Sequence, residues 1–477
     1  MYRHTKIIAT AGPAVASSAK VDSLVAAGMD VLRLNFSHGD HEVHKSFANW
    51  SREASVSQKR SVALLQDIQG PKLRIGEFPE GPIHLEADEE LELVARTGAG
   101  DSRIIPVGYP SLLTDVTVGD RVVLADGLVT LKITAMGDES LTAVVVQGGE
   151  LSDHKGVAFP DSQLSVGSIT PKDEVDLVFG RQLDVDYVAA SFVRSGQDIK
   201  DVKSIVGDVP VIAKIELAQA YENLGSILDE ADGVMVARGD LGVQLPLERL
   251  PLIQADILKR ANASGRISIT ATEMLESMIH NSRPTRAEVT DVATAVSGGT
   301  DAVMLSGETA VGAFPIKAVE AMALICLATE EGTLSSRGDH PVSFVGDGNR
   351  VASAVAQAAT EIAINVDAKM IVAFSESGNT ARLISKYRPE VGIHAFSPSG
   401  ETQRRMALYW GVNAHHIDRR SSTDEEITVA SRVLKSEGLV TDGERVVMVA
   451  GVPPNRKAST NLVKVHEIGE DTKGLGS

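Results

Sequence analysis

Short runs of apolar, β-prone residues recur along the chain, each pair separated by room for a helix. In order they read KIIATA, VLRLNF, VALLQD, YVAASF, VPVIAKIE, GVMVARGD, SITATE and AVMLSGE. Their apolarity is continuous rather than alternating, which buries both faces of each strand, as in a parallel sheet. Helix-period segments such as AKVDSLVAAGMD and GQDIKDVKSIVG lie between them and are ended by glycine. Eight strand–helix units predict a closed (β/α)8 TIM barrel.

The rhythm breaks once, between the third and fourth strands. Residues 71–165 change to alternating segments, GPIHLEADEELELVAR and DRVVLADGLVTLKITAMGDESLTAVVVQGG, which predict antiparallel hairpins and a small inserted β-barrel lid domain. The catalytic barrel then takes residues 1–70 and 166–335. The polar stretch SSRGDHPVSFVGDGNR reads as a linker. Beyond it MIVAFSESG, GIHAFSPSG, RVVMVAGVP and NLVKVHEIG alternate with helices, predicting a C-terminal α/β open-sheet domain over 336–477.

A length of 477 residues fits three such units. The net charge of −18, with no Lys/Arg run, argues against nucleic acid as a partner and leaves the local basic residues to serve small anions. No stretch is apolar enough to span a bilayer and MYRHTKII carries no signal-peptide pattern, so a cytoplasmic protein without a membrane partner is expected. The single cysteine, Cys326, cannot close an internal disulfide and reads as a small core residue in a helix.

The active site of such a barrel forms at the C-terminal ends of its strands, and here nearly every run ends in a polar residue. The ends carry Arg33, Asn35 and Ser37; Asp67; Lys214 and Glu216; Arg238 and Asp240; Thr272; Ser306 and Glu308. Lys214 and Glu216 are two apart in an extended strand and so share a face. A structural salt bridge would explain that pair alone, but not the second acid, Asp240, just past the next strand. Two carboxylates with no nearby histidine or cysteine suit Mg²⁺ or Mn²⁺ better than zinc. Gly239 lets an anion approach the main chain. Arg33 and Arg74 offer guanidinium forks for phosphoryl oxygens. Lys155-Gly156, where the insertion returns, could close over a substrate and exclude water. DIQGPKLRIG (67–76) poses a puzzle: Lys72 lies two residues from Arg74 and close to Asp67, with no obvious purpose.

KIIATAGPA, VLRLNFSHG, the QGPK–R element, SDHKGV, AKIE, VMVARGDLGV, TATEMLESM, RPTRAEVTDVA and AVMLSGETAVG, in that order, closely resemble the pyruvate kinases across all three domains. The resemblance implies phosphoryl transfer from phosphoenolpyruvate to ADP, giving pyruvate and ATP. It further implies that Glu216 and Asp240 hold the divalent ion and that Lys214 neutralises the transferring group. Gly239, Asp240 and Thr272 would bind the substrate carboxylate, with Thr272 near the face where the enolate is protonated. Arg33 would contact the phosphate; Arg74, Lys155 and the stretch from Asn35 to His38 would lie on the nucleotide side. A homotetramer is implied by analogy.

Many of these enzymes need K⁺, bound at the equivalents of Asn35, Ser37, Asp67 and Ile68, with glutamate at the position of Lys72. Ile68, Gln69, Lys72 and Ile75 instead resemble the potassium-independent branch. The expectation is that the Lys72 ammonium sits near where K⁺ would be, and that no K⁺ is required. In the third domain, Ser375, Ser377, Gly378, Asn379 and Thr380 form a hydroxyl-rich turn at a helix start, suited to a phosphate or to capping the helix alone; the resemblance implies the phosphate of an allosteric effector, with Arg456 and Lys457 in the closing loop GVPPNRKASTN. Two other readings compete. A Mg²⁺-dependent enolate lyase or aldolase explains AKIE and ARGD but not the lid or the third domain. A metabolite sensor that has lost catalysis is opposed by the intact Lys214, Glu216, Asp240 and Thr272.

Overall fold

A computed structural model describes residues 2–334, 350–452 and 460–470. The expected linker from 335 and the loop residues Arg456 and Lys457 lie outside the described residues. The barrel opens with β1 (Lys6–Thr10), β2 (Val31–Asn35) and β3 (Ala63–Asp67). The insertion carries β4 (Ile83–Leu85), β5 (Glu90–Val94), β6 (Ile104–Pro106), β7 (Arg121–Leu124), β8 (Val129–Met136), β9 (Ser140–Gln147), β10 (Gly149–Leu151) and β11 (Val157–Ala158). The barrel resumes with β12 (Tyr187–Ala190), β13 (Val211–Ile215), β14 (Gly233–Ala237), β15 (Ile267–Ala271) and β16 (Ala302–Leu305).

The barrel closes in the order β1-β16-β15-β14-β13-β12-β3-β2, every pair parallel. Each strand is buried almost throughout, as continuous apolar runs require, because helices cover the outside and side chains fill the inside. The polar strand ends emerge together at one mouth.

The lid strands form a two-stranded sheet, β10-β4, and a six-stranded sheet, β11-β7-β8-β9-β5-β6, around one shared apolar core. One pairing, β5 with β6, is parallel, unlike the expected hairpins, because a crossing loop rather than a tight turn joins them. The C-terminal sheet contains β17 (Ile371–Phe374), β18 (Ile393–Ser397), β19 (Val412–His416), β20 (Arg445–Gly451) and β21 (Thr460–Glu467), in the order β19-β18-β17-β20-β21. This domain seals the barrel floor: Ala407 and Leu408 pack among Ile8, Leu65, Tyr187 and Met304 inside the cylinder. Tyr187 also donates its hydroxyl to the Arg405 carbonyl at 2.6 Å.

A local device aims the Gly70-Pro71 corner. The helix Pro171–Gln182 starts on a capping box between Thr170 and Asp173, and Asp173 Oδ1 also accepts the Gly70 N–H at 3.1 Å. Gly70 is left-handed, φ 66°, and a Cβ there would press within 3.0 Å of Ser191 and Phe192.

Candidate active site

Lys214 is the hub. It leaves β13 buried in the barrel mouth, with its ammonium 2.7 Å from Glu216 Oε1, 2.7 Å from Ser191 Oγ and 3.3 Å from Asp67 Oδ1. Asp67 in turn takes Arg33 Nε on Oδ2 at 2.6 Å, and Arg33 Nη1 donates to Thr10 Oγ1 at 3.1 Å. Four charges thus alternate in sign across the ends of β2, β3 and β13, which lets a buried cluster avoid unpaired charge. Burial alone would lower the Lys214 ammonium, but Asp67 and Glu216 outweigh burial and hold it above its ordinary value. Burial would also raise Asp67; Lys214 and Arg33 reverse that and hold it low.

Glu216 behaves differently. Burial pushes its carboxyl up, Lys214 opposes this, and Asp240 pushes it up further. Its other oxygen accepts the Phe192 N–H at 2.6 Å. Two acids that repel one another in one cleft are a good seat for a cation. Among the described residues no group of three or more His, Cys, Asp or Glu is placed to hold a metal, so the protein would supply two carboxylates and leave the other positions to water and substrate oxygens. That donor set fits Mg²⁺ or Mn²⁺.

Beside Asp240, Gly239 N donates to Thr272 Oγ1 at 2.9 Å. Thr272 and Glu273 both take positive φ, 62° and 53°, costly for residues with a Cβ. Arg238 holds this turn in place: its Nη2 donates to the carbonyls of Thr272 at 2.6 Å and Glu273 at 3.0 Å, its Nε to that of Ala271 at 3.2 Å, and Nη1 pairs with Asp291.

The cleft between lid and barrel is lined from below by Glu216, Asp240 and Phe192 and from above by Asp126, Gly156 and Phe159. At the base of the lid Arg74 Nη1 donates to the His154 carbonyl at 2.9 Å, and Ile75 N donates to Lys155 O at 3.0 Å. The Lys155 side chain is exposed. Asn35 Oδ1 accepts Ser37 N at 3.2 Å, and His38 is exposed beside it.

Lys72 has its ion-pair partner in Asp240, 3.9 Å away across the cleft. The reason is local: both Asp67 oxygens are already occupied by Arg33 and Lys214, and the Gly70-Pro71 corner sends Lys72 past Gly156 on the lid side. The neighbouring Ile68 side chain is buried and offers no oxygen, and its carbonyl accepts Ser191 Oγ at 2.7 Å.

Comparison with known proteins agrees with this architecture along the whole chain. Residues 2–319 match the family described as pyruvate kinase, barrel domain, and residues 353–466 match pyruvate kinase, alpha/beta domain. The chain belongs to the pyruvate kinase family. Its similar relatives include the pyruvate kinase of Geobacillus stearothermophilus, 42% identical over 98% of this chain and 81% of that protein. Another is the pyruvate kinase of Mycobacterium tuberculosis, 41% identical over 99% of this chain and 100% of that protein. A crystal structure of a pyruvate kinase from Cryptosporidium parvum superposes with a TM-score of 0.89 at 35% identity, covering 98% of this chain and 96% of that one. Pyruvate kinases work with a divalent metal.

Several residues of this pyruvate kinase site escaped the sequence reading. Ser191 and Thr10 end the apolar runs YVAAS and KIIAT, and a hydroxyl there looks like an ordinary strand terminus. Arg238 was visible as a strand end, but its grip on the Thr272 turn was not. Glu308, another polar strand end, is a buried structural acid that accepts Leu275 N at 3.0 Å and Ser306 N at 2.6 Å.

The C-terminal turn is compact. Gly378 is left-handed at φ 82°, and the helix Asn379–Lys386 follows it. Ser375 is buried and Ser377 exposed. Thr380 is committed to Thr460 Oγ1 at 2.7 Å, and Asn379 Oδ1 accepts Arg382 Nη2 at 2.7 Å.

Proposed function

We propose that this chain transfers the phosphoryl group of phosphoenolpyruvate to ADP, giving pyruvate and ATP. The observation that carries the reading is the Lys214 ammonium held between Asp67 and Glu216, at 3.3 and 2.7 Å, with Asp240 lining the same cleft as Glu216. Transfer of a phosphoryl group needs positioned charge more than covalent chemistry from the protein, and this is positioned charge.

Glu216 and Asp240 would hold Mg²⁺ or Mn²⁺. A divalent ion supplies charge neutralisation and a template for the phosphoryl oxygens when bound. Arg33 and Lys214 bind the phosphoryl group on its way between donor and acceptor. Gly239, Asp240 and Thr272 orient the carboxylate end, and Thr272 Oγ1 stands where the enolate takes up its proton. Asn35, His38, Arg74 and Lys155 receive the nucleotide, and the lid excludes water as it closes. Lys72 supplies a permanent positive charge on the metal side of the pocket, so that turnover proceeds without K⁺; the buried Ile68 and the saturated Asp67 support this reading.

The turn of Ser375, Ser377, Gly378, Asn379 and Thr380 is proposed to take the phosphate of an allosteric effector. The assembly is proposed to be a homotetramer. Among the described residues no helix is long and apolar enough to cross a membrane.

Coupled detection of pyruvate from phosphoenolpyruvate plus ADP tests the proposal. Turnover that needs ADP and a divalent ion is expected. Consumption of substrate without ADP would point to the lyase reading instead.

A further inference from the structure

Behind the turn that carries Asn35 and His38 lies a set of side chains that the reaction does not use. After β2 the chain folds back through Phe36 and His38 into the helix His41–Ser57, and two carbonyls of this turn are captured from behind. His44 brings Nε2 to 3.0 Å from the His38 carbonyl, and its ring stacks on Phe36 with centroids 4.1 Å apart and planes 12° apart. A carbonyl only accepts, so Nε2 carries the hydrogen. His44 Nδ1 is buried without a hydrogen-bond partner, which fits the same neutral tautomer. Burial keeps the His44 imidazole below its ordinary value.

The second carbonyl belongs to Phe36. Lys172 Nζ donates to it at 2.7 Å while pairing with Asp176 Oδ2 at 2.5 Å. Asp176 Oδ1 meets His41 Nε2 at 2.8 Å, and the His41 ring lies flat on Phe179, centroids 3.9 Å apart. Gln66, one residue before Asp67, donates to the Asp176 carbonyl at 2.6 Å and joins this brace to β3. None of these side chains lines the cleft between lid and barrel.

We infer that His44 and Lys172 are positioning residues for the nucleotide: by fixing the carbonyls of His38 and Phe36 they set the turn from which Asn35 and His38 meet ADP. The inference rests on the reading that puts the nucleotide at that turn. Neither residue touches the phosphoenolpyruvate side, so their loss should be felt in one substrate and not the other.

Steady-state kinetics with each substrate varied in turn tests this. His44→Phe keeps a stacked ring and removes the donor; Lys172→Met removes the second donor and Lys172→Arg restores one. Asn35→Ala reports on the nucleotide reading itself. His44→Phe and Lys172→Met should each raise KM for ADP about five- to tenfold, the scale of one hydrogen bond. The kcat/KM for phosphoenolpyruvate at saturating ADP should stay within about twofold, and Lys172→Arg should recover most of the loss. If Asn35→Ala raises KM for ADP while His44→Phe and Lys172→Met do not, or if both substrates suffer equally, the inference is overturned. If Asn35→Ala leaves KM for ADP unchanged, the nucleotide reading fails and the inference falls with it. Should His44→Phe fail to fold, the Lys172 pair decides alone, since that side chain is 51% exposed and its replacement leaves the core intact.

Discussion

The Lys72 ammonium lies 3.9 Å from Asp240 Oδ1, in the cleft that Asp240 and Glu216 both line. A glutamate in its place would add a third negative charge to a pocket meant for an anionic substrate. Lys72→Glu is therefore predicted to lose at least about tenfold in turnover in K⁺-free buffer and to regain part of it on adding KCl. Steady-state rates with tetramethylammonium as the counterion measure both effects. Unchanged turnover in that buffer would show that the Lys72 charge does nothing for the reaction.

Lys214 has the heaviest double role. Lys214→Gln strips the cation from two buried acids, Asp67 and Glu216, and removes the group proposed to bind the transferring phosphoryl. A fall in kcat of about a thousandfold is expected. Calorimetry should also show a lower melting temperature, because removing one partner of a buried pair costs about 3 to 5 kcal/mol. A variant that melts early yet turns over normally would assign Lys214 a structural role only.

Arg238 bonds to three successive carbonyls, those of Ala271, Thr272 and Glu273, and keeps two positive-φ residues in place. Arg238→Met should let this turn relax and carry Thr272 Oγ1 away from Gly239. The kcat/KM for phosphoenolpyruvate should drop by about a hundredfold, while KM for ADP should change little. Equal losses in both substrates would mean the whole barrel mouth has shifted.

How much of this was legible in the sequence depended on whether the signal was local. The eight barrel strands announced themselves because burial on both faces keeps the runs predominantly apolar, without polar alternation, as in YVAA and GVMVA. The pairing of Lys214 with Glu216 followed from a period of two. One of the five C-terminal strands, β19 (Val412–His416), was invisible because VNAHH is polar, as its half-covered edge position allows. The partner of Lys72 could not be read either: it depends on where the Gly70-Pro71 corner points, and Asp173, a hundred residues away in sequence, helps to set that direction. Arg238 shows the same limit, since its three acceptors belong to the next strand's turn.

In the C-terminal domain, burial and the neighbouring Glu376 push the Glu426 carboxyl up to about 7. Its folded value lies above its unfolded one, so between them the folded state holds more protons. Stability from this group is complete below about pH 4.5 and is lost as pH rises through about 7. Glu426→Gln should thus match the parent at pH 4.5 and melt higher at pH 8, by roughly 1 to 2 °C once partial exposure is allowed for. Thermal scans at the two pH values check the sign, which would reverse if the carboxyl were held low.

The central claim is that fixed protein charges equip this cleft for phosphoryl transfer without an alkali metal. Pyruvate formation from phosphoenolpyruvate and ADP, assayed with Mg²⁺ in rigorously K⁺-free tetramethylammonium buffer, tests it most directly. Full turnover is expected, changed less than about twofold by added KCl. Absence of pyruvate until K⁺ is supplied, or a many-fold rise on its addition, would contradict the account.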